Sequence, residues 1–326
     1  MAFLKRKHIC RAGLLVFLVL ALFLSGPRVD LNTTLHPLVL PPDLDTYLAR
    51  KEAAYQDIVP GTEKKIVWAH APGEQTPLAI VYVHGYSASR QDTAPLAALI
   101  AARLHANLYS TRLSGHGRGS EAMLDGSVNS WLDDMHEAVE IGKRLGRRVV
   151  IVGCSTGGTL AVWQAAHSDR DEVAALVLLS PNFGPADRRT EILTWPWGAQ
   201  LAELLVGKIR SWKPVNEAHG RYWTSSYPVR ALVPMMGLVK LTRSLDLQTL
   251  KTPTLVIYAP DDKTVDTTAI IAAFQKMGVG EKKLIAYDQS GDPSRHVLAG
   301  DVLSPGSTEP LVQMIADFLA GLHGGS

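Results

Sequence analysis

The chain has 326 residues, of which 46% are hydrophobic and 20% charged, and its formal net charge is +2. This length is enough for one large α/β domain or for a domain with an inserted subdomain. The balanced charge gives no indication of nucleic-acid binding. Two cysteines, Cys10 and Cys154, cannot form a disulfide framework, and the sequence has no Cys/His cluster of the metal-binding type.

Residues 1–28 have the pattern of a targeting segment. Four Lys and Arg residues within the first eleven positions precede an uncharged apolar run over 12–24. This order is typical of a secretory signal peptide or of a signal anchor with its basic end in the cytoplasm. The run is short for a helix that spans a membrane unaided, which needs about 20 residues. We expect a membrane-anchored or a secreted, periplasmic protein whose main domain lies outside the cytoplasm.

Residues 29–63 are rich in proline and then helix-like, and they are predicted to form a tether or an N-terminal cover. From residue 64 onwards, apolar strand-like runs alternate with helix-like segments. The predicted strands are 65–71, 79–85, 106–112, 149–152, 175–181, 254–260 and 283–288, and the predicted helices are 92–104, 131–145, 160–168, 267–277 and 309–322. This alternation predicts a mostly parallel sheet with helices on both faces.

The alternation is interrupted over residues 182–250. This stretch contains four tryptophans, several prolines and the pair Met235 and Met236. Aromatic and Met-rich helices inserted after a strand are typical of a cap over an apolar pocket. We therefore predict a core made of residues 64–181 and 251–326, with residues 182–250 inserted as a cap or lid.

The sequence GCSTG at residues 153–157 follows a buried strand and precedes a helix-like segment. A strand, a tight turn and a helix with Ser155 at the apex is the context in which G-x-S-x-G marks a nucleophile. The turn needs small residues beside the serine, as at Gly153 and Gly157. The backbone N–H of Thr156 would lie at a helix N-terminus, where it favours negative charge.

With these motifs in order, the chain resembles the α/β-hydrolase superfamily, in particular its monoacylglycerol-lipase-like and lysophospholipase-like serine hydrolases, the group that includes serine aminopeptidases. The resemblance is carried by HGYS at 84–87, RLSGHGR at 112–118, GCSTGG at 153–158, DDKTVD at 261–266 and SRHVLAGD at 294–301. It implies the α/β-hydrolase fold, with a helical cap after the strand that follows the nucleophile helix. It covers the chain from about residue 64 to its end and leaves the leader and much of the cap without specific motifs.

A serine hydroxyl is a weak nucleophile unless a base accepts its proton and a third group orients that base. Ser155, an aspartate and then His296 follow in the chain order of α/β-hydrolases. Several aspartates are candidates for the third member. The resemblance places it three residues before a valine, as Asp262 stands before Val265, and Asp261 is then a turn residue or a helix N-cap. Asp266 and Asp288 are weaker rivals.

The same resemblance implies an oxyanion hole formed by the backbone N–H groups of Tyr86 and Thr156. We expect His84 and Gly85 to set the conformation of that loop. We expect His116 to hold neighbouring loops through hydrogen bonds rather than to contact substrate.

The sequence therefore predicts a serine hydrolase that cleaves carboxylic esters of apolar acyl groups through an acyl-enzyme, with no metal or organic cofactor. The same triad also serves aminopeptidases, thioesterases and acyltransferases, and Glu191, Glu203 and Glu217 in the cap are candidates for binding a substrate amine. Ser155 argues against a haloalkane dehalogenase, which needs an aspartate nucleophile. A membrane-tethered binding protein with an inactive hydrolase fold is a more remote alternative.

Overall fold

The computed structural model describes residues 2–168 and 172–322, and for residues 2–12 it describes the backbone alone. A seven-stranded sheet forms the centre. Its strands are β1 (Lys65–Val67), β2 (Thr76–Val83), β3 (Asn107–Ser110), β4 (Gly146–Cys154), β5 (Val173–Leu179), β8 (Thr254–Tyr258) and β9 (Lys282–Ala286), while β6 (Ile209–Ser211) and β7 (Ser226–Pro228) form a separate antiparallel pair.

The spatial order of the central sheet is β1-β3-β2-β4-β5-β8-β9. Strand β1 is antiparallel to β3, and every other pair of neighbours is parallel. The prediction of a mostly parallel sheet is confirmed. Because the strands are parallel, the loops that follow β2, β4, β5, β8 and β9 all leave from the same edge of the sheet.

The described helices are α1 (Ala2–Leu24), α2 (Leu44–Glu52), α3 (Leu96–Arg103), α4 (Val128–Leu145), α5 (Thr156–His167), α6 (Gly198–Val206), α7 (Glu217–Tyr222), α8 (Leu232–Arg243), α9 (Thr267–Lys276) and α10 (Thr308–Gly321). Short 3₁₀ helices occur at Ser120–Asp125, Arg188–Thr194, Val229–Ala231, Leu247–Thr249 and Pro305–Ser307. The predicted core helices are all present.

Side chains of the central strands alternate between two apolar layers. On β4, Val149 and Ile151 belong to the layer that contains Trp131 of α4, and Val150 and Val152 belong to the layer that contains α3 and α10. A strand covered on both faces has no polar side, which is why these strands read in the sequence as continuous apolar runs.

The segment 29–63 packs along α4 and the loop that follows β3. Leu44 and Leu48 of α2 are buried in the main core. The Arg112 guanidinium pairs with Glu52 at 2.9 Å, and the Thr62 hydroxyl donates to the Gly117 carbonyl at 3.0 Å. These contacts hold the segment against the domain.

Residues 182–250, which we call the cap segment, lie in the chain between β5 and β8 and contain α6, β6, α7, β7 and α8. The Trp223 side chain packs against Ala88 and Val297 of two core loops. The Thr224 N–H donates to the Ser87 carbonyl at 2.7 Å. The cap segment is therefore in contact with loops that leave the carboxyl edge of the sheet.

Helix α1 corresponds to the predicted targeting segment. From residue 14 onwards its apolar side chains are largely exposed, and its end meets the cap segment where the Trp197 indole N–H donates to the Leu22 carbonyl at 3.1 Å. The basic side chains of this segment lie outside the described residues. Among the described residues, no helix combines the length and the apolarity needed to cross a membrane, so the predicted anchor gains no support from the structure.

A buried ion cluster joins β1 to α4. The Lys64 ammonium, directly before β1, contacts Glu137 and lies 3.2 Å from Asp134, and all three side chains are almost fully buried. Burial alone would raise the pKa of Glu137, but Lys64 and Lys51 outweigh it and lower that pKa to about 2. Glu137 is therefore ionised at neutral pH and depends on its cationic partners.

We predict that Lys64→Met lowers the free energy of unfolding by about 3 kcal/mol, because the change leaves two buried carboxylates short of a cation. Chemical denaturation followed by circular dichroism measures the effect. The matched control is Lys65→Met at the exposed neighbouring position, where we expect a change of about 0.5 kcal/mol or less. Equal losses at the two positions would contradict the proposed contribution of the cluster.

Candidate active site

Ser155 occupies the turn between β4 and α5, and its backbone φ is +51°. A positive φ is unfavourable for a residue with a side chain and persists only where the surroundings enforce it. Here the Ser155 N–H donates to the Leu179 carbonyl at 2.9 Å, and its carbonyl accepts the N–H of Asn182 at 3.1 Å. Both partners are at or just beyond the end of β5, so the neighbouring strand holds the turn in place.

Close approach of α5 to the sheet explains the glycines around Ser155. A Cβ on Gly157 would lie 2.0 Å from the Val83 carbonyl oxygen of β2, and a Cβ on Gly153 would lie 2.6 Å from the Gly157 carbonyl oxygen. Any side chain at either position would force the helix away from the strands. Helix α5 begins directly after Ser155, four residues before the predicted start.

His296 and Asp262 come together although 34 residues separate them. The His296 Nδ1 lies 2.8 Å from the Asp262 Oδ2, and both side chains are largely buried. The other carboxylate oxygen of Asp262 accepts the N–H groups of Thr264 at 2.8 Å and Val265 at 3.1 Å. An ionised carboxylate only accepts hydrogen bonds, so Nδ1 carries the proton and Nε2 of the neutral ring is left as an acceptor.

The other aspartates considered from the sequence make different contacts. Asp261 is exposed and pairs with Arg295, with 3.1 Å between Oδ1 and Nε. Asp266 is the N-cap of α9 and accepts the Thr268 N–H at 2.9 Å. Asp288 is exposed. Asp262 is therefore the aspartate that contacts His296, and Asp261 is the turn residue.

Asp292 was not identified from the sequence. Its Oδ2 accepts the backbone N–H groups of His296 at 3.0 Å and Val297 at 2.9 Å, and its Oδ1 accepts that of Ser294 at 3.0 Å. A buried aspartate that collects several N–H groups shapes the loop that carries the imidazole. An aspartate two residues before a serine in a short loop is typical of an Asx turn, and this pattern is the sequence signal for the role of Asp292.

The environment of His296 favours its protonated form. Burial of the imidazole opposes that form, but the carboxylates of Asp262, Asp292 and Asp92 outweigh burial and raise the pKa of His296 above its ordinary value of 6.5. A raised pKa makes the neutral ring a stronger base once it has lost its proton.

The loop after β2 contains His84, Gly85 and Tyr86. The Leu113 N–H donates to His84 Nε2 at 3.1 Å, so the ring proton is on Nδ1, which lies 2.8 Å from the Gly85 carbonyl oxygen and donates to it. Because a trans peptide directs C=O and N–H to opposite sides, this bond turns the Tyr86 N–H away from His84. Among the described residues, no acceptor is found for that N–H.

This loop lies against the serine turn. A Cβ on Gly85 would be 3.3 Å from the Ser155 Cβ. The N–H of Thr156 is at the first position of α5, where the helix itself provides no acceptor for a backbone N–H. The two predicted oxyanion donors, Tyr86 and Thr156, are thus on the two segments that meet at Ser155.

His116 is fully buried in the loop that follows β3, and its side-chain hydrogen bond stays within that loop instead of joining neighbouring loops. Its Nδ1 lies 3.1 Å from the Ser114 carbonyl oxygen, and its ring packs edge-on against Tyr86 and Trp131. Burial lowers the pKa of His116 to about 4, so it is neutral. The Tyr86 side chain is part of the same aromatic group and also contacts Tyr227 of the cap segment.

The arrangement supplies a strained serine at a helix N-terminus, an imidazole held by a carboxylate and two backbone donors, all at the carboxyl edge of the sheet. Within the described part of the chain, no group of His, Cys, Asp and Glu side chains is arranged to hold a metal ion. The chemistry that such an arrangement can perform is nucleophilic acyl transfer.

The model of the alpha/beta hydrolase family matches residues 80–301. This match spans more than half of the chain and includes the serine turn, the aspartate loop and the histidine loop. The chain therefore belongs to the alpha/beta hydrolase family, as its motifs indicated.

Several relatives have names that refer to lipid hydrolysis. The thermostable monoacylglycerol lipase of Bacillus sp. (strain H-257) is 23% identical over 217 residues, which are 67% of this chain and 83% of the lipase. A structure from a study of LipS and LipT, two metagenome-derived lipolytic enzymes, is 20% identical with a TM-score of 0.66 and is matched over 81% of this chain and 99% of its own.

A soluble variant of monoglyceride lipase from Saccharomyces cerevisiae, solved with a substrate analogue, is 13% identical with a TM-score of 0.58, over 80% of this chain and 91% of its own. At these identities the structural likenesses establish the fold and not the substrate.

We predict that the pKa of His296, measured by NMR titration of the imidazole, exceeds 6.5. We expect it to fall in Asp262→Asn, because a neutral amide then replaces the carboxylate that contacts the ring. Asp261→Asn is the matched control, since that side chain faces Arg295, and we expect it to shift the titration little. A larger shift from Asp261→Asn than from Asp262→Asn would contradict the assignment of the two neighbours.

Proposed function

We propose that this protein is a serine hydrolase that cleaves carboxylic esters, with Ser155 as nucleophile, His296 as general base and acid, and Asp262 as the group that orients His296. The observation that carries the proposal is the buried 2.8 Å hydrogen bond between His296 Nδ1 and Asp262, at the same sheet edge as the strained Ser155 turn. The names of the lipase relatives support an ester as the scissile group.

In the proposed reaction, His296 accepts the Ser155 proton at Nε2 as the serine oxygen attacks the ester carbonyl carbon. The oxyanion that forms accepts hydrogen bonds from the N–H groups of Tyr86 and Thr156, and each such donor contributes about 3 kcal/mol in a typical oxyanion hole. The ester C–O bond then breaks, and the alcohol leaves with the proton from His296. Water attacks the acyl-enzyme by the same route and releases the carboxylic acid, so these steps require no metal or organic cofactor.

The proposed substrates are esters with an apolar acyl chain, such as monoacylglycerols or lysophospholipids. Support comes from the apolar and aromatic residues that the cap segment places near the two site loops: Trp223 against Ala88 and Val297, and Tyr227 against Tyr86. We further propose that the cap segment covers the site, as its sequence suggested.

Two of the three glutamates of the cap segment that could bind a substrate amine, Glu191 and Glu203, are already paired with arginine, whereas Glu217 has no ion pair among the described residues. The first two therefore argue against an aminopeptidase. Glu191 lies 2.7 Å from Arg243, and Glu203 is paired with Arg230. Carboxylates already paired with arginine are poorly placed to bind a substrate amine. Thioesters and acyl transfer use the same triad, and substrate comparison separates them from ester hydrolysis.

We predict that the full-length protein hydrolyses p-nitrophenyl esters from acetate to palmitate and that Ser155→Ala lowers kcat by about 10⁴-fold or more, because no other group supplies the nucleophile. The control, Ser244→Ala at an exposed helix end, is expected to retain wild-type turnover. A peak at short or medium chains indicates a carboxylesterase, and a long-chain peak indicates a lipase. Turnover that survives Ser155→Ala would exclude Ser155 as the nucleophile.

Fluorophosphonate labelling separates an enzyme from an inactive hydrolase fold, because an unactivated serine does not react with this reagent. We expect stoichiometric labelling of Ser155. If labelling occurs without ester turnover, thioesters and aminoacyl amides are the next substrates. If Ser155 neither labels nor turns over any of these, the binding-protein alternative is favoured.

The pH dependence of kcat/KM should report the pKa of His296. Only the neutral ring accepts the serine proton, so we predict that kcat/KM falls as pH decreases through a midpoint above 6.5. The measurement uses a non-ionising ester, so that the substrate does not titrate in the same range. An acid limb with its midpoint well below 6.5 would contradict the role given to His296 or the raised pKa.

A further inference from the structure

Asp92 is a further buried aspartate near the serine turn, and no step of the mechanism described above uses it. Asp92 follows the loop that carries Tyr86 and is 1% exposed. Its Oδ2 accepts the backbone N–H of Gly85 at 2.9 Å, and its Oδ1 accepts the N–H of Thr93 at 2.9 Å and the hydroxyl of Tyr82. A buried carboxylate whose two oxygens both accept hydrogen bonds fixes the positions of the groups that donate to it.

Gly85 is held from both sides by these contacts. Asp92 accepts its N–H, while His84 Nδ1 and the Ala88 N–H, at 2.8 and 3.3 Å, donate to its carbonyl oxygen. The peptide planes before and after the Gly85 Cα are therefore both fixed by hydrogen bonds. The second of them contains the Tyr86 N–H, one of the two proposed oxyanion donors.

Asp92 also lies near the strand that ends directly before the nucleophile. Burial and the nearby Asp92 carboxylate raise the pKa of the Cys154 thiol, directly before Ser155. Since Gly85 also approaches the Ser155 Cβ, the Asp92 carboxylate holds a glycine that lies against the serine turn.

The histidine loop reaches the same place. A Cβ on Gly300 would lie 2.9 Å from the Asp92 carbonyl oxygen, and the Asp301 N–H donates to the Ala94 carbonyl at 2.8 Å. The segment 92–94 is therefore a junction between the loop after β2, the serine turn and the loop that carries His296.

We propose that Asp92 is a positioning residue of this site: its carboxylate holds the Gly85 N–H and thereby sets the direction of the Tyr86 N–H toward the oxyanion at Ser155. The proposal rests on the proposed ester hydrolase function. Asp92 is buried and acts through Gly85, so it does not contact the substrate. It is expected to act on the rate of acyl transfer and not on substrate binding.

The titratable groups that face Asp92 are Tyr82 from β2, Cys154 from β4 and His296 from the histidine loop. Burial raises the pKa of Asp92 to about 6, although the hydrogen bonds it accepts oppose this rise. At pH 8 the carboxylate is therefore ionised. Replacing it with an amide removes the negative charge and lowers the number of hydrogen bonds that the side chain can accept from N–H groups.

The test compares Asp92→Asn with Asp134→Asn at pH 8. Asp134 is also a buried aspartate that accepts a backbone N–H, that of Ser114 at 2.6 Å, but it lies on α4 away from Gly85. Asparagine keeps the shape of aspartate and offers one acceptor oxygen instead of two. For Asp92→Asn we expect kcat on p-nitrophenyl esters to fall about 10- to 100-fold, since displacing a reacting geometry by about 1 Å has an effect of this size.

We expect KM to change less than threefold in Asp92→Asn, and we expect binding of an alkylboronic acid, which forms a tetrahedral adduct with an active serine, to weaken by about the same factor as kcat. Asp134→Asn should lower the melting temperature without this loss. The proposal is overturned if Asp134→Asn shows the same fall in kcat at an equal loss of stability. It is also overturned if Asp92→Asn binds the boronic acid as tightly as the wild-type protein does.

Hydrogen exchange of the peptide that covers residues 84–90 gives a readout that does not depend on a substrate. We expect faster exchange of this peptide in Asp92→Asn and unchanged exchange in Asp134→Asn. If the wild-type protein hydrolyses no ester and does not bind the boronic acid, the proposed function fails, and exchange still decides whether Asp92 holds the loop. Unchanged exchange in Asp92→Asn overturns the positioning role.

Discussion

The close approach of α5 to the end of β2 is the constraint on which the rest of the site depends. A Cβ at Gly157 would meet the Val83 carbonyl at 2.0 Å, so the helix packs at backbone contact distance and the turn before it is forced to be sharp. Ser155 takes the resulting φ of +51°, a conformation that costs of order 1–3 kcal/mol. The buried strands on either side of β4 and the packing of α5 over them offset this cost.

Once that turn is fixed, the parallel sheet decides what can lie beside it. The loops after β2, β5, β8 and β9 leave from the same edge, and each contributes one part of the site: the Tyr86 N–H, the Asn182 N–H that holds the Ser155 carbonyl, Asp262 and His296. This placement follows from strand direction and needs no special property of the individual loops.

Aspartates around this edge differ in task because their surroundings differ. Asp262 contacts the imidazole, Asp292 shapes the loop under it, Asp92 holds the glycine beside Ser155, and Asp261 faces solvent and Arg295. The same carboxylate is thus an orienting group, a loop support or half of an exposed ion pair. Exposed pairs of that kind contribute little to stability, whereas the buried ones constrain the backbone.

The sequence by itself determined the sheet, since strands buried on both faces are continuous apolar runs and these runs alternate with helix-like segments. It also determined Ser155 and His296 as candidates, because a G-x-S-x-G turn between a strand and a helix and a later histidine leave few rivals. It placed the Thr156 N–H at a helix N-terminus, where α5 begins, but it indicated helix-like residues only from residue 160 onwards. Gly157 and Gly158 are poor helix formers, and only packing against β2 and β4 overrides that preference.

The family resemblance favoured Asp262 over Asp261, and the tertiary structure shows why only one of them contacts His296. Adjacent residues in a loop point in different directions, and the N–H groups of Thr264 and Val265 fix Asp262 toward the imidazole. The tertiary structure alone revealed Asp92, whose partners Tyr82, Gly85 and Thr93 belong to β2 and the loop that follows it but form no periodic pattern in the sequence. Short-range periodicity can be read from the order of residues. Contacts between separate loops form only when the folded sheet brings those loops together at one edge.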